Sequence, residues 1–244
     1  MILANALANI LPINNITTGA VSDSYPNLFA PSPITFSIWG LIYSLLFVHV
    51  LYQLGLFRSD DKKRSNNLLS QIGSLFSLTS IINTLWIFAW HYKQMSITVL
   101  LMLGLLTCLI LIANKTRSAK LNLKENILIK LPFNIYFGWI TVATIANITV
   151  FLISLNWNGF GVPESVWTII ILIIGAIIGI VRMIYDKNIA YGLVFVWAYY
   201  GIYLKHTSDA GFQNIFPEIT FTAIACLLGV IIGGTYLLLK RLKS

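Results

Sequence analysis

The chain contains seven apolar runs, each close to the length that a helix needs to cross a lipid bilayer. A helix crosses the hydrocarbon core with about 20 apolar residues. Only 10% of the 244 residues are charged and the mean hydropathy is +0.81, whereas a soluble domain of this size needs a more charged surface. The sequence therefore predicts an all-α, polytopic transmembrane helix bundle with about seven full crossings, at 34–57, 72–92, 95–114, 131–154, 166–184, 188–204 and 217–239.

The first residues of the chain, Met1 to Pro12, are apolar but too short to cross a membrane alone. They also lack the positively charged start of a signal peptide. We expect a partial or interfacial N-terminal helix here, short or truncated relative to a full crossing.

The positions of basic residues test the predicted crossings independently, because cytoplasmic loops of membrane proteins are enriched in Lys and Arg. When alternate loops are grouped, fourteen of the sixteen basic residues fall on one side, and Lys93 and Lys205 on the other. Segments 15–33 and 155–165 carry none. We therefore expect a multi-pass protein of the cell membrane with a cytoplasmic C-terminus and an exoplasmic loop 15–33.

Ionisable groups are nearly absent from the interior of the predicted crossings, with one exception. The acidic residues all lie in loops or at helix ends: Asp23, Asp60, Asp61, Glu125, Glu164, Asp186, Asp209 and Glu218. Proton-coupled transport and acid/base catalysis therefore lack their usual groups. We predict no catalytic residue, no metal site and no nucleic-acid partner; the lipid bilayer is the surrounding medium. The exception is His49, which as a lone histidine favours packing over ligation of haem or metal.

Aromatic and amide residues share helix faces at several places. Phe36, Trp39 and Tyr43 follow the turn Pro31-Ser32-Pro33 along one helical stripe. Asn83 precedes Trp86 by three residues, and Trp139, Ala143 and Asn147 are spaced i, i+4 and i+8. Buried asparagines serve either helix packing or a ligand pocket, since an amide in hydrocarbon must find a partner. Both readings remain open for Asn83 and Asn147.

At these residues the sequence resembles the TspO/MBR family of tryptophan-rich sensory, translocator-like proteins. The segment PSPITFSIWGLIY keeps the order of a family motif through Pro31, Phe36, Trp39 and Tyr43, with Ile34 where the family has a tryptophan. Asn83-Thr-Leu-Trp86 is similar to its N-x-x-W pattern. The run from Trp139 to Asn147 is similar to its W-x-x-x-A-T-x-x-N pattern.

The resemblance covers residues 1–155 and implies a TspO-like bundle with a short first helix. Members of the family bind porphyrins, sterols and related ligands under a loop, and usually form homodimers. By this resemblance the ligand-binding residues are Trp39, Tyr43, Asn83, Trp86, Trp139, Ala143 and Asn147, and the lid residues are Pro31, Pro33 and Phe36. No cofactor follows beyond a porphyrin as ligand.

Residues 156–244 are expected to form a second part, with three additional transmembrane helices. Gly175-x-x-x-Gly179 in this part is a small-residue stripe, which favours close packing within the bundle over dimerisation.

Three functions fit these observations. The leading hypothesis is a ligand-binding, sensory protein of the translocator type that holds a flat apolar molecule, such as a porphyrin or a sterol-like ligand. The alternative is a facilitator or permease for a small neutral solute, which would need a polar path. A membrane enzyme that degrades porphyrin is the third, and it is disfavoured because no nucleophile, base or metal set is visible.

Overall fold

The computed structural model describes residues 1–10, 13–56 and 62–242, which form helices and turns with no strand in those ranges. The helices are α1 (Ile2–Ile10), α2 (Thr18–Asp23), α3 (Ile38–Gln53), α4 (Lys62–His91), α5 (Met95–Arg117), α6 (Leu123–Glu125), α7 (Leu131–Ser154), α8 (Glu164–Tyr185), α9 (Ile189–Thr207) and α10 (Pro217–Leu242).

Six helical segments of the described ranges are long and apolar enough to cross a membrane: Pro33–Gln53, Asn67–His91, Met95–Arg117, Leu123–Ser154, Glu164–Tyr185 and Pro217–Lys240. The seventh predicted crossing, 188–204, corresponds to the 19-residue helix α9. It is not among the six because tyrosines, together with Lys205 and His206, lower its hydropathy. The all-α polytopic bundle is confirmed, and the chain is a multi-pass membrane protein.

Tight turns make neighbouring helices antiparallel pairs. Lys93 (φ 53°) follows α4 and Lys187 (φ 50°) follows α8, the left-handed conformation that often ends a helix. Asn188 then caps α9, since its side chain accepts a hydrogen bond of 3.3 Å from the N–H of Tyr191. These turns place α4 beside α5 and α8 beside α9.

Helix α7 lies at the centre of the bundle and packs against α3, α5, α8 and α9. Much of its length is buried, including Phe133, Tyr136 and Phe137. Helices α1 and α2 pack against α4, and α10 packs against α8 and α9. The functional faces predicted on α3, α4 and α7 therefore belong to one bundle.

Glycines let α9 approach α7 and α8 closely. A methyl group on Gly138 of α7 would lie 2.9 Å from Cβ of Val194, and one on Gly179 of α8 would lie 2.8 Å from the ring of Phe195. Gly175 faces the hydroxyl of Tyr199 in the same way. The predicted stripe at Gly175 and Gly179 thus packs within the bundle, against α9.

Candidate functional site

A cavity of about 80 Å³ lies inside the bundle between α3, α4, α5, α7 and α9. Segment 27–36, which we call the lid segment, supplies a further wall through Asn27, Phe29, Ala30, Pro31 and Phe36. No Asp, Glu, Lys, Arg or His is among the described residues that line it. The cavity is therefore apolar, with a few amide, hydroxyl and indole groups as its polar atoms.

Eight of the ten residues predicted for the site line this cavity: Pro31, Phe36, Trp39, Asn83, Trp86, Trp139, Ala143 and Asn147. The other two, Pro33 and Tyr43, line a neighbouring groove of about 520 Å³ next to α1 and α2. Cavity and groove share Thr18, Phe36, Trp39 and Trp86 as lining residues. The two spaces thus meet at the aromatic residues that the sequence motifs contain.

The aromatic rings of the site form an ordered cluster. The ring of Trp39 lies edge-on to that of Trp139, with centroids 6.0 Å apart and planes at 84°. Phe36 meets Trp139 in the same manner at 6.0 Å and 87°, and Tyr43 stacks on Trp39 at 5.3 Å and 21°. Such offset and edge-on arrangements are the favourable ones for aromatic pairs.

Both predicted asparagines have a partner on another helix. Oδ1 of Asn83 accepts a hydrogen bond of 2.7 Å from Nδ2 of Asn5 on α1. Oδ1 of Asn147 lies 3.0 Å from the hydroxyl of Thr98 on α5. Each amide therefore serves packing with one half of its side chain while the residue also lines the cavity.

Three buried polar atoms of the cavity residues have no hydrogen-bond partner among the described residues: Nε1 of Trp86, Nε1 of Trp139 and Nδ2 of Asn147. The side chains are nine-tenths or more buried, with Trp139 and Asn147 each 3% exposed. An indole N–H can only donate a hydrogen bond, and leaving a buried donor unpaired costs about 1 to 3 kcal/mol. Three side chains that line the cavity therefore hold buried donors without a partner among the described residues.

His49 lies on α3, apart from the cavity, and is buried against α4 and α7. Its Nδ1 is 2.8 Å from the carbonyl oxygen of Leu128, and the rings of Phe76 and Phe133 meet it edge-on. Within the described residues no three His, Cys, Asp or Glu side chains are grouped as metal ligands. His49 is fully buried, and its Nε2 has no hydrogen-bond partner among the described residues.

Several lining residues lie outside the set predicted from the sequence. Trp90 stacks on Trp86 at 5.3 Å and 20°, and its position i+4 from Trp86 was a signal that could have identified it. Phe29 belongs to the lid segment, while Ala198 and Ile202 come from α9. No sequence signal marks Ala198 and Ile202, because small and branched apolar residues occur throughout the chain.

Comparison with known proteins gives one positive result. The model of a family described as TSPO-like protein matches residues 1–236, so the match continues across the boundary expected at 155–156 and through most of α10. No curated protein and no solved structure shows a significant match.

Proposed function

Since the chain belongs to the TSPO-like protein family and forms a multi-pass helical bundle, we propose that it binds a flat apolar ligand that carries hydrogen-bond acceptors. The ligand lies against the rings of Trp39, Trp86 and Trp139, in the cavity and the adjoining groove. The observation that supports this most directly is the pair of unpaired indole donors, on Trp86 and Trp139, in a wall whose described residues are mostly apolar and uncharged.

The volumes favour a ligand that extends through both spaces. Sites for small organic molecules typically measure about 300 to 1,000 Å³, which the cavity of about 80 Å³ does not reach and the groove of about 520 Å³ does. Trp39, which borders both spaces, is placed to contact either half of such a ligand. Protoporphyrin is flat and carries several oxygen acceptors on its propionate side chains, whereas a sterol such as cholesterol offers a single hydroxyl oxygen. The donors therefore favour the porphyrin class.

The test is a titration of the purified protein with protoporphyrin, followed by the Soret absorbance of the ligand and by tryptophan quenching. Trp86→Phe and Trp139→Phe keep an aromatic ring and remove the indole N–H. Each is expected to weaken binding about tenfold, as the loss of one hydrogen bond of roughly 1.4 kcal/mol does.

Trp157→Phe is the matched control, because Trp157 lies beside Phe160 and Trp167 and does not line the cavity. It should bind as the unmodified protein does. A Soret band that is unchanged by the protein, or an affinity that both cavity substitutions leave intact, would refute the proposal. A parallel titration with a sterol separates the two ligand classes.

A further inference from the structure

The lid segment is hydrogen-bonded to α8 and α9, which follow the motif-bearing helices in the chain. The backbone N–H of Leu28 donates to Oε1 of Glu164 at 2.8 Å. The carbonyl oxygen of Leu28 lies 2.9 Å from Nε2 of His206, a histidine with no exposed surface. One residue of the lid segment is thus bonded to α8 through its N–H and to α9 through its C=O.

A second attachment lies at the other end of the lid segment. The N–H of Ser32 donates to the carbonyl oxygen of Gly201 at 2.9 Å, and Nε1 of Trp197 donates to the carbonyl oxygen of Thr35 at 2.9 Å. Trp197 and Gly201 are one turn apart on α9, so they present one face of that helix to the lid segment.

The contact between α9 and the lid segment requires glycine at position 201, because there is no space for a side chain. A methyl group there would overlap Oγ1 of Thr35 and lie 2.8 Å and 2.9 Å from Cγ2 and Cβ of the same residue. Thr35 is fully buried. The lid segment could not keep this position if α9 carried any larger residue at 201.

The same helix supplies part of the cavity wall. Ala198 and Ile202 follow Trp197 and Gly201 by one position each and line the cavity, and both are almost fully buried. One face of α9 thus holds the lid segment while the adjacent face bounds the space beneath it.

We propose that α9 completes the ligand-binding site and holds its lid closed, so that a ligand enters when segment 27–36 separates from Trp197, Gly201 and His206. The identity of the ligand in this inference rests on the proposed function. The opening of the lid segment does not depend on it. The segment before the lid is held independently by α4, through the hydrogen bond of 3.0 Å from Nε1 of Trp90 to the carbonyl oxygen of Thr18. Opening therefore requires the hydrogen bonds to α8 and α9 to break, together with the edge-on contact of Phe36 with Trp139 on α7.

The test measures access to the cavity without any ligand. Cys108 and Cys226 are replaced by serine, and Val142→Cys places one thiol of similar size in the cavity wall, where Val142 is 5% exposed. A membrane-impermeant maleimide then reports how often the cavity opens to water. Gly201→Ala is expected to raise the labelling rate about tenfold, because labelling follows the population of locally opened protein.

Gly229→Ala on α10 is the matched control, since its methyl group would meet only Cδ1 of Ile180 at 3.7 Å. Its labelling rate should equal that of the parent. Trp197→Phe gives a milder second variant that removes one hydrogen bond to the lid segment and keeps the ring. It is expected to raise the rate less than Gly201→Ala does.

Equal labelling rates in all variants would overturn the inference. Protoporphyrin titrations of the same variants keep the two proposals distinguishable. Faster labelling of the variants, with no porphyrin binding by any protein, would support the role of α9 in holding the lid segment and refute the proposed ligand. Porphyrin binding with unchanged labelling would support the proposed ligand and refute the role of α9.

Discussion

At the scale of single residues, Asn147 illustrates how one side chain serves both structure and binding. Oδ1 of Asn147 and the carbonyl oxygen of Met95 share the single hydroxyl hydrogen of Thr98, at 3.0 Å and 2.7 Å from its oxygen. The other half of the amide, Nδ2, has no partner among the described residues. The bond to Thr98 fixes the orientation of the amide, and that orientation determines what the free half offers to a ligand.

Thr98→Val removes the hydroxyl and keeps the shape of the side chain. We expect a loss of stability of about 0.5 to 1.5 kcal/mol, because Asn147 loses its interhelical partner. We also expect weaker porphyrin binding, because the amide is no longer held in place. Thermal unfolding in detergent and the Soret titration measure the two effects.

Thr107→Val on the same helix is the control, since the Thr107 hydroxyl is exposed and bonds only the carbonyl oxygen of Leu103 in its own helix. Its stability and affinity should match those of the parent. If Thr98→Val behaved in the same way, the bond to Asn147 would have no role in holding the site.

At the scale of helices, hydropathy predicted the elements and their ends well. The run 131–154 corresponds to α7, and 95–114 and 166–184 fall within α5 and α8. The largest difference is at α4, which begins at Lys62 instead of residue 72. Backbone hydrogen bonds can extend a helix beyond its apolar residues into a polar segment. The apolar run therefore predicts the part that crosses the membrane, and it underestimates the length of the helix.

The role of α9 was beyond prediction from the sequence. Motif spacing places residues on one face of one helix, whereas the hydrogen bond from Trp197 to Thr35 joins positions 162 residues apart. The same limit applies to Asn83, whose position was predicted but whose partner Asn5 was not. Local pattern identified eight of the twenty described residues that line the cavity. Contacts between distant segments determine how the cavity closes.

Helix packing at α7 and α9 leads to a prediction about Gly138. A methyl group there would lie 2.9 Å from both Cβ of Val194 and the carbonyl oxygen of Tyr191. Because a backbone oxygen cannot move aside cheaply, we expect Gly138→Ala to destabilise the protein by about 1 to 3 kcal/mol. Thermal unfolding in detergent measures the effect.

Gly104→Ala in α5 adds the same methyl group where the nearest atom, Cδ1 of Ile82, is 3.7 Å away. It should be neutral or stabilising, because alanine favours a helix over glycine. Equal stability of the two variants would show that α7 and α9 are less closely packed than the glycine contacts indicate.

At the scale of the whole molecule, contacts cross the boundary that was expected between residues 1–155 and 156–244. Nη2 of Arg182 on α8 donates to Oδ1 of Asn114 on α5 at 2.9 Å. The hydroxyl of Tyr191 on α9 donates to Oγ1 of Thr141 on α7 at 3.1 Å. With the lid contacts at the opposite end of α9, these bonds join the two parts along the length of the bundle. Helices α8 and α9 are therefore structural partners of the motif-bearing helices, and α10 packs on α8 and α9.

Orientation in the membrane is the remaining prediction at this scale. When the loops are assigned alternately to the two sides of the membrane, one side contains the lid segment, Lys93 and Lys205. The other side contains fourteen of the sixteen basic residues. Because basic loops are retained in the cytoplasm, we expect the lid to face outward and to receive its ligand from the exoplasmic side.

Single cysteines in a background without Cys108 and Cys226 test this orientation in intact cells. Asp209→Cys, in the turn after α9, is expected to react with an impermeant maleimide, and Ser118→Cys, after α5, is expected to react only once the cells are opened. The reverse pattern would place the lid in the cytoplasm, and would mean that the charge asymmetry does not set the topology of this bundle. Reaction of both residues in intact cells would indicate mixed insertion, which the strong charge asymmetry argues against.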